Sequence, residues 1–192
     1  MKKIALILTT VITLSAFTTV LSTWENDDPH SQLGFTVTHL GIADVSGTFN
    51  DFDVIVKSSK PDFSDASFEL KAKTASIDTR VEARDNHLKS ADFFNVEKYP
   101  ELTFKSTSLK KKGKDTYELT GDLTLNGITK PVTMNLKYRG TTENPMSKAT
   151  TAGFQLQGEI KRSDFNVGPG FPHSVISDKV RIKADGEFIQ KQ

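Results

Sequence analysis

The sequence predicts an all-β domain of about eight antiparallel strands, interrupted once by a short helix. Three observations carry this expectation. Apolar and polar residues alternate along most of the chain from Leu33 to Phe188, the period of strands with one buried face. Asn126-Gly127 stands between two such runs, a strong signal for a tight hairpin. Between Ile77 and Phe104 the alternation stops, and charges of both signs, an imidazole and the adjacent Phe93 and Phe94 sit together.

Leu33, Phe35, Val37 and His39 share the apolar phase of a first strand. Phe52, Val54 and Val56 mark a second, reached through Gly47. In the third, Phe68, Leu70 and Ala72 oppose Glu69, Lys71 and Lys73. Ile77 is out of phase with that set, which places a bulge or the strand's end near Ala75. Asp78 and Thr79 are good helix N-caps, and residues 81–89 contain no Gly or Pro, so the helical insertion is expected within residues 79–92. Leu102, Phe104 and Ser106 then alternate with Thr103, Lys105 and Thr107, and residues 110–114 read as a solvated hairpin tip. Tyr117, Leu119, Leu123 and Leu125 lead into Asn126-Gly127. Val132, Met134, Leu136 and Tyr138 lead out of it. Residues 141–147, with Pro145, read as a loop. Ala152, Phe154, Leu156 and Ile160 mark the seventh strand, and Val180, Ile182, Ala184 and Phe188 the last. Eight antiparallel strands suit a closed barrel or a sandwich, and alternation alone does not choose.

The N-terminus reads as a cleaved secretory signal over residues 1–22. Lys2 and Lys3 precede an apolar run from Ile4 to about Phe17, and Val20 and Ser22 occupy the small-residue positions of a cut after Ser22. The run is too short and too rich in threonine for a retained anchor. Residues 23–192 then fit one domain. The chain has no cysteine, which excludes a thiol nucleophile, an iron–sulfur cluster and acylation of a lipoprotein cysteine. Without Lys2 and Lys3 the chain carries 23 basic and 24 acidic residues, a balance that gives nucleic acid no support as a partner.

Thr79, Arg84-Asp85-x-His87-Leu88-x-Ser90-x-Asp92-Phe93-Phe94 and Tyr99-Pro100-x-x-x-Phe104-x-Ser106 resemble the signature of the YceI-like polyisoprenoid-binding proteins. Asp28-x-His30-Ser31-x-x-x-Phe35-x-Val37-x-His39 with Gly47-x-Phe49, Gly121-Asp122-Leu123-Thr124-Leu125-x-Gly127-x-Thr129-Lys130, and Arg162-Ser163-Asp164-Phe165 are similar to the same family. The resemblance runs from about Trp24 to Phe188. It departs at Asn166, where the family's glycine is usual. It implies an extended, lipocalin-like, eight-stranded antiparallel barrel in the periplasm, holding a polyprenyl phosphate or pyrophosphate, or an isoprenoid quinone. The partners expected are that lipid, a transient membrane contact and, through the resemblance, a second copy of the chain.

Twelve of thirteen phenylalanines follow the signal, and small residues such as Gly121, Gly158 and Ala184 share faces with large ones. From packing alone such residues interdigitate into a solid core; the resemblance implies a tunnel. Strand phase nominates Phe35, Phe52, Phe68, Phe104, Leu119, Leu123, Met134, Phe154, Ile182 and Phe188 as its lining. Head-group or rim candidates are Arg84, His87, Arg162, Phe93 and Phe94, since an arginine fork suits a phosphate. The competing reading pairs Arg84 with Asp85 and Arg162 with Asp164 as ion pairs that pin loops to the barrel end. Residues 168–174 are expected to form a lid or rim.

No catalytic residue is nominated. A second class of function, an enzyme acting on a lipid or its head group, would use His87 with Asp85 or Asp92. A third, an interaction module, would dock a membrane or redox partner. His30, His39, His87 and His173 show no His-x-x-x-His or His-x-His spacing, so no metal site and no cofactor beyond the bound lipid are expected.

Overall fold

The computed structural model describes residues 20–191, so the apolar run of the expected signal lies outside the described residues. Eleven strand segments and one α-helix follow in order: β1 (Ser22–Asn26), β2 (Gln32–His39), β3 (Ala43–Phe49), β4 (Phe52–Ser58), β5 (Ser67–Lys73), β6 (Ile77–Asp78), α1 (Glu82–Lys89), β7 (Glu101–Lys111), β8 (Thr116–Leu125), β9 (Ile128–Glu143), β10 (Thr150–Lys161) and β11 (Ile176–Gln190). Every pairing is antiparallel.

Six segments combine into three broken strands. β1 and β2 both pair with β11, in registers Trp24 to Gln190 and Phe35 to Ile182. β4 pairs with β1 while β3 pairs with β2. β5 continues beside β4, and β6 beside β3. Two of the three breaks have a local cause. The turn at Asp28–His30 carries Pro29, which supplies no N–H to a ladder. The turn at Thr74–Ser76 buries the Thr74 hydroxyl against the Tyr99 carbonyl at 2.7 Å, and it produces the phase jump at Ile77. Counted this way eight strands close a ring, with β1 bonded to β4 on one side and β11 on the other. The barrel alternative is therefore the correct one, and closure leaves no long open edge at the lower end.

Several boundaries differ from expectation. The second strand is not merely reached through Gly47; the residue lies inside β3, where a side chain would meet the Phe35 ring at 2.6 Å. β9 continues to Glu143, so the loop expected at 141–147 starts three residues late. The helix covers only Glu82–Lys89, and its N-cap is Val81 rather than Asp78 or Thr79. Arg80 takes a left-handed φ of 66° while its N–H donates to Asp78 at 2.7 Å. That turn delays the helix, and Asp85 inside it reaches back to the Thr79 N–H at 2.9 Å.

The lower end of the barrel is filled. Trp24, Phe63 and Phe154 are buried with Phe68 and Phe188, and the rings of Trp24, Tyr138 and Phe154 surround Phe63 with centroids 5.0–5.2 Å away. The Trp24 Nε1 is buried without a hydrogen-bond partner among the described residues.

At the bend between β1 and β2, His30 Nδ1 lies 2.7 Å from the Asp27 carboxylate. The hydrogen bond and charge of Asp27, with Glu187 nearby, raise the imidazole above its ordinary 6.5. A raised histidine favours the folded state below its unfolded value, and that contribution is lost as pH rises through the folded value. NMR titration is expected to give His30 a midpoint above 6.5, and Asp27→Asn to return it towards 6.5. An unchanged midpoint in the variant would assign the shift elsewhere. The same three side chains place their ligand atoms within 4.8 Å of one another, a grouping of distant positions that histidine spacing alone did not reveal.

Candidate functional site

The inward faces of the strands do not meet. They enclose a cavity of about 420 Å³, within the ~300–1,000 Å³ range of small-molecule sites, and its wall is almost wholly hydrocarbon. All ten residues nominated from strand phase line it: Phe35, Phe52, Phe68, Phe104, Leu119, Leu123, Met134, Phe154, Ile182 and Phe188. Small residues hold the walls close without filling the space. At Gly121 a side chain would sit 2.3 Å from the Phe104 ring, so the glycine lets that ring lie flat along the wall. The inward run from Val180 to Phe188 spans ~26 Å at ~3.3 Å per residue, room for an extended chain.

The cavity ends below at Phe68, Phe154 and Phe188, with the Phe63 ring packed behind Phe154, and opens above. The upper end is bordered by His39 and Val45 of the β2–β3 hairpin, by α1 and residues 93–94, and by Phe171 and Ile176. His39 is thus a rim residue, exposed and paired through its backbone with Ile176. All five head-group or rim candidates border the cavity. Phe93 stacks on Phe171 with centroids 4.9 Å apart, and the His87 ring meets both edge-on at 5.1 and 5.7 Å. Phe94 turns inward, packing edge-on against Phe49 at 5.6 Å. An aromatic cluster therefore covers part of the mouth, half-exposed His87 included, and His87 Nε2 lies 3.1 Å from Asp92.

Neither arginine forms the ion pair expected from sequence. Arg84 is not paired with Asp85. The Thr79 hydroxyl stands between them, donating to Asp85 and accepting from Arg84 Nε at 2.7 Å, while Arg84 Nη2 donates to the Thr79 carbonyl at 2.8 Å. Among the described residues Arg84 Nη1 has no partner. Nor is Arg162 paired with Asp164, whose carboxylate takes Lys130 at 2.9 Å. Arg162 is 4% exposed and its five N–H donors go to five backbone carbonyls, of Val167, Gly168, Phe171, Ile176 and Ser177. This fork ties the lid segment and the start of β11 to the turn that follows β10, because adjacent carbonyls in a tight loop need a planar multiple donor. Burial opposes ionisation of nearby Asp178. Donors from Ser163, with the His173 and Arg162 charges, outweigh it and hold the carboxyl below its usual range.

Asn166 occupies a left-handed conformation at φ 52° and ψ 38°. Asparagine tolerates that region better than most side chains, so the missing glycine leaves the turn intact. Gly168 follows at φ 62°, where a side chain would meet the Phe93 ring at 2.6 Å.

A closed antiparallel barrel with an apolar interior, a filled floor and an aromatic-rimmed mouth is the architecture of a single-ligand binding protein of lipocalin type. The YceI-like domain family matches residues 24–188, and the chain belongs to that family. It is 42% identical over 155 residues to a UPF0312 protein of Photorhabdus laumondii, covering 80% of each chain. It is 43% identical over 143 residues to protein YceI of Escherichia coli, covering 74% of each. The Campylobacter jejuni YceI structure superposes with a TM-score of 0.74 at 30% identity, over 81% of this chain and 90% of that one. A polyisoprenoid binding domain from Saccharophagus degradans shares the fold, with a TM-score of 0.66 at 15% identity over 90% and 100% of the two chains.

Proposed function

We propose that this protein is an exported carrier or reservoir for an isoprenoid lipid, a polyprenyl phosphate or pyrophosphate or an isoprenoid quinone, held tail-inward. The observation that carries the reading is the long hydrocarbon-walled cavity inside the barrel. Apolar burial is worth roughly 25 cal/mol per Å² before binding costs, so a tail filling this space binds through area rather than directional contacts. The polyisoprenoid binding domain of matching fold supports the choice of lipid class. Export to the periplasm is supported by Lys2-Lys3 and the apolar run behind them. Transient membrane loading is supported by Leu40 and Ile42, 53% and 85% exposed at the tip of the hairpin that forms one side of the mouth. The test is native mass spectrometry of protein from its own host, before and after organic extraction. A stoichiometric prenyl lipid is expected. A lipid-free mass together with failure to take up added polyprenyl phosphate would overturn the reading.

Arg84 is the head-group residue in this reading, because its Nη1 donors are uncommitted at the mouth. Arg162 has none left to offer. Arg84→Ala is expected to weaken polyprenyl phosphate binding about tenfold, the worth of one charge-assisted contact, and to leave the matching alcohol unchanged. Equal losses for both ligands would instead make Arg84 a support for the loop around Thr79.

A further inference from the structure

The β4–β5 connection, residues 59–66, is polar apart from Pro61, Phe63 and Ala66. Such a loop ordinarily runs over the surface. Here it sends Phe63 into the barrel, 3% exposed, with a left-handed φ of 55° that bulky residues rarely adopt. Its neighbours are fastened on both sides. Asp62 takes Lys111 at 2.9 Å, and its carbonyl accepts the Tyr117 hydroxyl at 2.6 Å. Asp65 accepts from the Ser58 hydroxyl at 2.6 Å and the Ser59 N–H at 3.1 Å. The Phe63 ring lies 5.0 Å from Phe154, which lines the cavity, and 5.2 and 5.1 Å from Trp24 and Tyr138, which do not. Phe63 itself stands outside the cavity wall, packed behind Phe154 and between that ring and Trp24 and Tyr138.

We propose that Phe63, by backing the Phe154 ring, fixes the floor of the cavity and sets the longest apolar chain that it accepts. The inference rests on the carrier reading above and adds a specificity-determining residue to it. In a hydrocarbon-walled site, each further methylene gains binding energy by burial until the chain meets a wall. With no directional contact along the tail, that wall is what discriminates length. A floor fastened by its flanking residues keeps a fixed position, whereas a loosely packed ring would yield to a longer chain. Truncating the ring leaves space behind Phe154 into which that side chain can turn, and so deepens the cavity.

Trp24 is the single tryptophan of the chain, so its fluorescence reports on the floor. The experiment measures binding of two homologous series, prenyl alcohols and linear alkyl alcohols, to native protein, Phe63→Ala, Phe63→Leu and Phe63→Gly. Glycine suits the left-handed backbone and guards against a folding failure in the alanine variant. The native protein is expected to stop gaining affinity at a defined length. Phe63→Ala and Phe63→Gly should move that limit outwards by at least one isoprene unit, and Phe63→Leu by less. Trp24 emission should respond only to chains longer than the native limit. An unchanged limit in folded Ala and Gly variants would overturn the floor and leave the carrier reading standing. A limit that moves for alkyl alcohols, with prenyl alcohols unbound, would uphold the floor and overturn the isoprenoid reading. Native protein that binds neither series would overturn both.

Discussion

Leu123→Trp is expected to empty the barrel of lipid while leaving it folded. Leu123 points inward near the C-terminal end of β8, is 7% exposed, and faces Phe104 across the β7–β8 pair. An eight-stranded barrel has an interior just wide enough for its side chains or for one small ligand. An indole projecting into the cavity from this position therefore takes the width that a tail needs. In a solid core this enlargement would cost about 1–3 kcal/mol through displaced neighbours. Here the added ring enters open space, and the apolar area that it buries offsets much of that strain. Bound lipid is expected to fall at least ~100-fold, a loss of ~2.7 kcal/mol or more, with the far-ultraviolet spectrum and cooperative melt retained. A folded variant that still carries stoichiometric lipid would show that the tail does not run past Leu123. Phe154→Trp is expected to act differently. Phe154 sits against Phe63, Phe68 and Phe188 at the lower end, so enlargement there shortens the accepted chain without blocking entry.

The lining was legible because strand phase is a strict code. Side chains two apart share a face, and Leu119 and Leu123, or Phe154 and Ile182, could be assigned inward without knowing which strands pair. Whether those faces would pack solid or stand apart was not legible, since the same residues serve either outcome. The floor escaped for a different reason. Phe63 lies in Ser-Lys-Pro-Asp-Phe-Ser-Asp, a turn-rich stretch with no period, and nothing local says that the chain folds inward there. Its faint signal is a large aromatic residue alone among polar ones. Trp24 was missed because its strand is short and follows directly on the signal. The arginine pairings failed because proximity in sequence favoured carboxylates two residues or fewer away. The true partners of Arg162 are backbone carbonyls, which every residue carries and no sequence pattern marks.

That hidden set of partners makes Arg162 the residue whose loss should be felt most in stability. Its guanidinium joins the turn after β10 to carbonyls at five positions between Val167 and Ser177, and so holds Phe171 over the mouth against Phe93 and His87. Removing one partner from a buried hydrogen bond leaves the other unsatisfied at about 1–3 kcal/mol. Several carbonyls lose their donor together in Arg162→Ala, and the upper ones regain water only if the lid lifts. The expected loss is about 3–5 kcal/mol, equivalent to ~6–20 °C in Tm for a domain of this size. Arg162→Lys retains the charge but offers three donors from one point in place of a planar five-donor fork, so it should recover less than half of that loss. Hydrogen exchange is expected to quicken across residues 163–177 in both variants while β4, β5 and β8 keep their protection, and bound lipid to dissociate faster as the aromatic cover loosens. A lysine variant with native stability and native lid protection would show that a point charge suffices there. In that case the carbonyl fork is incidental, and the lid is held by the stacking of Phe171 alone.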